Sequence, residues 1–505
     1  MRAARASFGT RVFQILIICL LGLAHGADAR KRRRLLQSRI SVGYNTFYGV
    51  ANNGSLYYWG VNPESTSTVS LAPTPFRTAT QQWSQVGSGA SFGCGIPLNG
   101  GNPQCWGDVE IDVVKAVNNV TEELTQLSVG PYHACGVSRT GSIVCWGSGA
   151  QYNALGNGNN DTSILSAVVD GTDWASVSCG FWFTFALKKD GSLFGWGYNG
   201  NHEVSPSNDT AILQPHQVPG TWISVSAGSA YTLAIDSTNA AFGWGLSEQV
   251  DVDFAKGGSL GDGKPTCYDF ETQKFCEPEI TEEDDDDYTF SYDLYMKNEP
   301  EPVPVAGGLK FASISAGGGL SCGVEQTTNN AYCWGYTTGE AFAEGSPQTN
   351  APKLLEGNST WASITVGESD TRCGIKTDGT LWCWGRNNFN CEDECGLGDG
   401  TSNNSPVPVK VINVENWLPD TPPVPVPAPA PVPAPAPVPA PTPVPAPAPE
   451  PAPAPEPIFS PPNGGGVSPQ NVPSPPPPVS SSFRSRSGHN GLVAAGLAVI
   501  VLAVF

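Results

Sequence analysis

The chain has 505 residues, 39% hydrophobic and only 14% charged, with 58 Gly, 46 Pro, 14 Cys and a formal net charge of −20. This balance excludes a basic stripe of the kind that holds nucleic acid by its phosphates. So many cysteines instead point to cross-links or metal ligands, and their spacing decides between the two.

Residues 12–23 are an apolar run behind an Arg-bearing start, and Ala27-Asp28-Ala29 offers small residues for cleavage, so residues 1–29 read as a secretory signal. The basic segment 30–37 follows, with Arg30-Lys31-Arg32-Arg33-Arg34. A basic cluster there is unfavourable for translocation. Its alternative readings are a processing site or a nuclear-localisation-like run.

From Ile40 to Gly385 one pattern recurs seven times: a small-residue strand, often a Cys-Gly pair, a Gly-containing turn and a closing Trp-Gly. The closing tryptophans are Trp59, Trp106, Trp146, Trp196, Trp244, Trp334 and Trp384, mostly about 40 to 50 residues apart. Periods of that size mark solenoids and propellers. Each copy alternates small or apolar with polar residues, turns, and alternates again, which predicts consecutive antiparallel strands. The long gap between the fifth and sixth copies, 247–305, reads as one insertion. Its run Glu282-Glu283-Asp284-Asp285-Asp286-Asp287 lacks the ligand spacing of a defined calcium loop and is read as solvated.

Four copies carry two cysteines at matching places: Cys94 and Cys105, Cys135 and Cys145, Cys322 and Cys333, Cys373 and Cys383. The other three carry Tyr48 and Tyr58, Phe185 and Gly195, and Leu233 and Gly243. Both cysteines or neither is what a bonded pair requires. Turn chemistry agrees: a three-residue loop Thr377-Asp378-Gly379 pairs Lys376 with Thr380 and brings Cys373 opposite Cys383. Arg139-Thr140-Gly141 does the same for Cys135 and Cys145, whereas the pairs Cys94/Cys105 and Cys322/Cys333 need longer or bulged turns. Cys-x9-Cys and Cys-x10-Cys do not match zinc knuckles. Cys267 with Cys276 and Cys391 with Cys395 are predicted local bridges, and Cys179 a buried small thiol. Bonds in this number imply an oxidising compartment. Sequons at Asn53, Asn119, Asn160, Asn208, Asn358 and Asn403 fall in polar stretches suited to glycans.

After the repeats, Pro occupies every odd position from 423 to 457. Segment 419–479 is therefore read as a polyproline II stalk, rising ~3.1 Å per residue and spanning on the order of 100 Å. It is similar to proline-rich glycomodules of plant and green-algal walls, and Ser474-Pro475-Pro476-Pro477-Pro478 resembles the extensin motif, which implies hydroxylated, glycosylated prolines. Segment 480–505 has small residues at Ser480-Ser481-Ser482, a polar spacer and a charge-free tail from Leu492 to Phe505. That is the layout of a glycolipid-anchor signal with attachment at Ser480. A short tail anchor or merely an apolar terminus is the other reading.

The repeat, Trp-x-x-Val-Ser-x-Gly then Cys-Gly-Val, a turn and Cys-Trp-Gly, resembles the regulator of chromosome condensation superfamily. That resemblance implies an all-β, seven-bladed β-propeller over 38–418, with the segment ending at Trp417 supplying the last strand and closing the ring. The paired cysteines are most similar to the extracellular repeats of Crinkly-type plant receptor kinases, but no kinase signature follows. His133 falls where this superfamily often has a structural histidine.

No nucleophile elbow, phosphate loop or metal-binding His pair is visible. His202 and His216 stand in an inter-repeat loop without partner residues. The chain is read as non-enzymatic, with no catalytic residue, cofactor or metal. The expected function is an extracellular, membrane-tethered recognition module binding a protein or glycan ligand through loops such as 146–168 or the 247–305 insertion. Alternatives are a wall-associated hydroxyproline-rich structural glycoprotein and a guanine-nucleotide exchange factor-like GTPase regulator.

Overall fold

The alternating repeats form the strands their pattern predicts, and these assemble into a seven-bladed β-propeller. The structure, a computed structural model, describes residues 39–418 apart from 45, 77–80, 108–111, 149–151, 159–165, 170, 252–253, 265–267, 270–273, 276–294, 336–348, 356, 358, 369–370 and 387–395. The signal, basic, stalk and tail segments, Cys267, Cys276, Cys391, Cys395, Asn160, Asn358, the acidic run and Ser480 lie outside the described residues.

Each blade is an antiparallel meander of one continuous segment, its innermost strand first. Blade 1 holds Ile40–Val42, Thr46–Val50, Leu56–Asn62 and Ser65–Pro75; blade 2 holds Trp83–Ser88, Phe92–Pro97 and Gln104–Gly107. Blade 3 holds Leu124–Val129, His133–Ser138, Ile143–Gly147 and Ser166–Val169; blade 4 holds Trp174–Cys179, Phe183–Lys188, Leu193–Tyr198 and Ala211–Val218. Blade 5 holds Trp222–Ala227, Tyr231–Asp236, Ala241–Asp251 and Tyr295–Pro304, with Phe254–Gly257 on the projecting end of its third strand. Blade 6 holds Phe311–Ala316, Leu320–Glu325, Ala331–Gly335 and Thr349–Leu354; blade 7 holds Trp361–Val366, Thr371–Lys376, Leu381–Gly385 and Ser405–Lys410. After its third strand blade 2 leads to a short helix, Asp112–Ala116, whose Val113 and Ala116 pack with Trp146 of blade 3.

The Cys-Gly pair has two separate causes. Its glycine makes room for the large side chain that opens the innermost strand: a Cβ on Gly95 would lie 2.7 Å from the Trp83 ring, on Gly323 2.5 Å from Phe311, and on Gly374 2.6 Å from Trp361. In blades 4 and 5 the residue is Ala186 or Ala234, which shares a core cluster with Trp174 or Trp222. The cysteine is bonded across to the third strand. Cys94–Cys105, Cys135–Cys145, Cys322–Cys333 and Cys373–Cys383 form four disulfides within blades, with Cα atoms 4.0 to 4.1 Å apart.

The predicted registers hold: Lys376 donates its N–H to the Thr380 carbonyl at 2.9 Å, and Cys373 stands opposite Cys383. The longer turn at Cys322/Cys333 is a four-residue loop closed by the Glu325 N–H and the Asn330 carbonyl at 2.8 Å. In the cysteine-free blades Phe185 faces Gly195 and Leu233 faces Gly243. A Cβ on Gly195 would lie 2.5 Å from the Phe185 ring, so the volume of the missing disulfide is filled by one large residue opposite none. Tyr48 faces Tyr58.

Successive blades are stitched along the central channel by the serine of the Val-Ser-x-Gly pattern. Ser41 Oγ accepts from the Ser88 N–H at 2.8 Å, Ser128 from Cys179 at 2.9 Å, and Ser178, Ser226 and Ser315 from Ala227, Ala316 and Val366 at 3.0 Å each. These hydroxyls satisfy inward-facing N–H groups that a strand edge would leave unpaired. All seven glycines of the closing Trp-Gly take φ between +82° and +122°, and in blades 2, 3, 6 and 7 the third strand stops at that glycine.

Ring closure departs from the expectation. Residues 411–418 form no strand, and both blade 1 and blade 7 are complete from their own segments. Trp417 instead inserts its indole where the other blades use their own opening residue. The Trp417 backbone N–H donates to the Gly379 carbonyl at 2.9 Å, as the backbone N–H groups of Trp83, Trp174 and Trp222 do to Gly54, Gly141 and Gly191. A Cβ on Gly49 would lie 2.3 Å from its ring.

Candidate functional site

The loops joining first to second and third to fourth strands emerge on one face of a meander, and that face surrounds one mouth of the channel. Each first-to-second turn opens with a glycine: Gly43, Gly89, Gly130, Gly180, Gly228, Gly317 and Gly367. Its N–H donates to the carbonyl closing the turn, as from Gly130 to His133 at 2.9 Å and from Gly180 to Phe183 at 2.8 Å. The blades approach too closely here for a side chain. A Cβ on Gly130 would lie 2.4 Å from the Gly180 oxygen, on Gly180 2.7 Å from Gly228, on Gly228 2.8 Å from Gly317, and on Gly317 2.2 Å from Gly367.

Above this glycine ring the turn tips vary: Tyr44; Ala90 and Ser91; Pro131 and Tyr132; Phe181 and Trp182; Ser229 and Ala230; Gly318 and Gly319; Glu368. A repeated scaffold with variable tips is the arrangement in which loops carry function.

Two features stand out among the tips. The first is a half-exposed aromatic patch across blades 3 and 4. Tyr132 and Trp182 stack with centroids 4.1 Å apart and planes at 5°, Phe181 meets Tyr132 edge-on at 5.1 Å, and Tyr152 packs on Tyr198 at 5.0 Å. The backbone holds it in place: Tyr198 N–H donates to the Trp182 carbonyl at 2.9 Å and Ser148 N–H to the Tyr132 carbonyl at 3.0 Å.

The second is Glu368 of blade 7, which crosses blade 6 to reach blade 5, where the Ser229 hydroxyl donates to its carboxylate. It crosses because the intervening tip is Gly318, where a Cβ would lie 2.2 Å from the Glu368 carbonyl oxygen. Burial pushes its carboxyl up to about 7. Burial, and next the negative charge of Glu368, raise the hydroxyls of Tyr44 and Tyr132. Beneath lies a channel cavity of about 210 Å³, with Ser41, Ser88, Ser128, Ser178, Ser226 and Ser315 on its walls.

Loop 146–168, named from the sequence, contributes Tyr152 to the patch. The other named loop, 247–305, is not a single insertion: the third strand of blade 5 runs on to Asp251, paired with Phe254–Gly257 and the outer strand. Its residues 259–261 are propeller core, since the Ser259 carbonyl accepts from Trp334 Nε1 at 3.0 Å and Ser321 Oγ at 2.7 Å, and Leu260 is buried. Ser259-Leu260-Gly261 repeats Ala154-Leu155-Gly156 and Gly396-Leu397-Gly398.

Tyr44, Tyr132, Phe181, Trp182 and Glu368 were not singled out from the sequence. The available signal was their position, between a repeated glycine and a repeated strand, at tips that differ among copies.

His133 is fully buried, its Nε2 2.8 Å from Thr184 Oγ1, and burial lowers it to about 4. Cys179 is buried as expected, its thiol pushed up to about 12 by burial. These two and Cys135 lie together, but Cys135 is committed to its disulfide, so the group is no metal set. His202 lies in an inter-repeat loop, whereas His216 lies on the outer strand of blade 4. The described sequons Asn53, Asn119, Asn208 and Asn403 are all exposed. Among the described residues no helix is long and apolar enough to cross a membrane.

The fold and its variable rim define a propeller of the repeat-built, loop-presenting class. The model of the regulator of chromosome condensation (RCC1) repeat matches residues 124–152 and 174–203 of this chain. It is 29% identical over 170 residues to the X-linked retinitis pigmentosa GTPase regulator homolog of Caenorhabditis elegans, covering 32% of this chain and 12% of that protein. It is 32% identical over 90 residues to the mitochondrial RCC1 domain-containing protein RUG3 of Arabidopsis thaliana, covering 16% and 20%. The matches thus span a fifth or less of those relatives' lengths. Among solved structures, Prp20p of Saccharomyces cerevisiae superposes with a TM-score of 0.49 at 18% identity over 65% of this chain and 80% of that one. The Crinkly ectodomain of the Arabidopsis thaliana receptor kinase ACR4 superposes with a TM-score of 0.41 at 18% identity, over 69% and 95%.

Proposed function

We propose that the protein is a non-enzymatic recognition module of the cell surface, a disulfide-stapled propeller carried on the proline-rich stalk 419–479 and tethered by a glycolipid at Ser480. Its binding face is the channel mouth, where the aromatic patch and Glu368 stand on an otherwise repeated scaffold. That contrast carries the reading: seven copies hold their turn glycines in register and five of them the stitching serine, while the tips between them present Tyr132, Trp182 and Glu368.

Support for the compartment comes from the four disulfides, which belong to an oxidising environment, and from the exposure of Asn53, Asn119, Asn208 and Asn403 as glycan acceptors. Tyr268 pairs with Phe275 one residue inside Cys267 and Cys276, which supports a bridge between those two. Cys391–Cys395 is retained as a proposed bridge on spacing alone. The exchange-factor reading draws on the GTPase-regulator description of one relative, but a reducing cytosol opposes four disulfides.

The test is to treat intact expressing cells with phosphatidylinositol-specific phospholipase C and assay the medium. Shedding is the expected result. Retention at the surface points to a tail anchor or wall attachment, and protein found only inside the cell overturns the reading.

A further inference from the structure

We infer that the channel mouth receives one cationic side chain, a Lys ammonium or Arg guanidinium, from a basic segment of a partner protein. The inference rests on the reading of this face as the binding face and names the chemistry of its partner.

Glu368 carries the argument. Glu368 is half-buried, lines the channel cavity and accepts a hydrogen bond from the neutral Ser229 hydroxyl, and no salt bridge to it occurs among the described residues. The groups whose ionisation responds to its charge are Tyr44 and Tyr132, both neutral hydroxyls. A carboxylate partly withdrawn from water without a cation is disfavoured, and a cation entering the mouth offsets that cost.

The surroundings suit such a guest. A cation favours the faces of aromatic rings as well as a carboxylate; Tyr44 stands on blade 1, next to the blade of Glu368, and Phe181 and Trp182 on blade 4, next to the blade of Ser229. The cavity of about 210 Å³ beneath is lined by serines rather than by cations. The net charge of −20 draws basic partners toward the chain. A segment of protein, rather than a free polyamine, is the committed guest because the same face also carries the half-exposed aromatic patch from Tyr132 to Tyr198 on blades 3 and 4. It offers contact area for residues flanking the inserted side chain.

The test uses the full secreted chain in 150 mM salt, a condition that suppresses non-specific attraction. It is titrated by NMR with a terminally blocked Tyr-Gly-Arg-Gly-Tyr peptide, the same peptide with Gln for Arg, and spermidine. The Arg peptide is expected to bind at least tenfold more tightly than the Gln peptide and than spermidine. Glu368→Gln is expected to abolish that preference, while Glu301→Gln, on an exposed outer strand, leaves it unchanged. Ser229→Ala, which removes the hydrogen-bond donor but keeps the carboxylate, is expected to retain binding.

Equal binding of the Arg and Gln peptides, no binding of the Arg peptide, full binding by Glu368→Gln, or loss with Ser229→Ala equal to that with Glu368→Gln overturns the inference. So does spermidine binding as tightly as the peptide. Failure here in a protein that phospholipase sheds from cells removes the cation site and leaves the surface-module reading standing; a protein confined inside cells removes that reading whatever the peptides do.

Discussion

The indole of Trp417 lies edge-on to that of Trp59, ring centres 6.1 Å apart and planes at 64°, joining the last described segment of the propeller to its first blade. Trp174 meets Trp196 and Trp361 meets Trp384 in comparable contacts within single blades. Blade 1 therefore takes from the far end of the propeller the residue that other blades supply themselves.

Trp417→Ala is expected to cost about 3–5 kcal/mol, the range for truncating a buried aromatic, because the ring is fully buried among Ile40, Trp59 and Val411. Urea unfolding measures the loss. A cost below about 1 kcal/mol shows that closure does not depend on the plug.

The blades lacking disulfides show how to replace one. Converting Cys135 and Cys145 to Phe and Gly, the combination found at Phe185 and Gly195, is expected to lose less stability than converting both to Ala, which removes the bond and leaves a void. Urea midpoints of the two double variants decide it, and equal midpoints refute the volume argument.

Gly130→Ala is expected to destabilise by about 1–3 kcal/mol, the usual range for overpacking, since its Cβ would meet the Gly180 carbonyl oxygen at 2.4 Å. Gly357, with only one side-chain atom at 4.0 Å but φ of +111°, separates strain from crowding. Gly357→Ala is expected to lose less. Thermal melts of the two variants provide the comparison.

Glu203 is fully buried, and burial raises its carboxyl from 4.5 to about 7. Between those values the folded state holds a proton that the unfolded state has released, so this group's contribution to stability falls as pH rises from about 4.5 to about 7. His133 works in the opposite direction, its folded value lowered from 6.5 to about 4, so its contribution falls as pH drops through that window. Comparison of Glu203→Gln with the parent isolates the first effect: the variant is expected to gain on the parent as pH rises from 4.5 to 7. A constant difference in unfolding free energy across that range contradicts it.

Strand pairing was legible in the sequence wherever a local rule governed it. The turn Thr377-Asp378-Gly379 sets the pairing of Cys373 with Cys383, because the glycine's left-handed φ and a three-residue loop leave one register. The matched presence or absence of both cysteines revealed the same four bonds. From sequence alone the Ser247-to-Val305 stretch reads as one insertion, because Ser259-Leu260-Gly261 sits far from any Trp-Gly and looks like loop. Its role appears only when Trp334 and Ser321 of the next blade come to rest on the Ser259 carbonyl.

By itself the sequence determined the blade: alternation sets the strands, glycine turns set the registers, and seven copies set their number. These are short-range effects, settled within a hairpin. Only the tertiary structure decided what the copies do together. The serines become stitches, the glycines become a ring too tight for a Cβ, and Trp417 closes blade 1, because each of these depends on a neighbour from another blade. The same holds for Glu368 and Ser229, which lie on blades 7 and 5 and meet over Gly318 at the channel mouth because circular closure brings their tips to one axis.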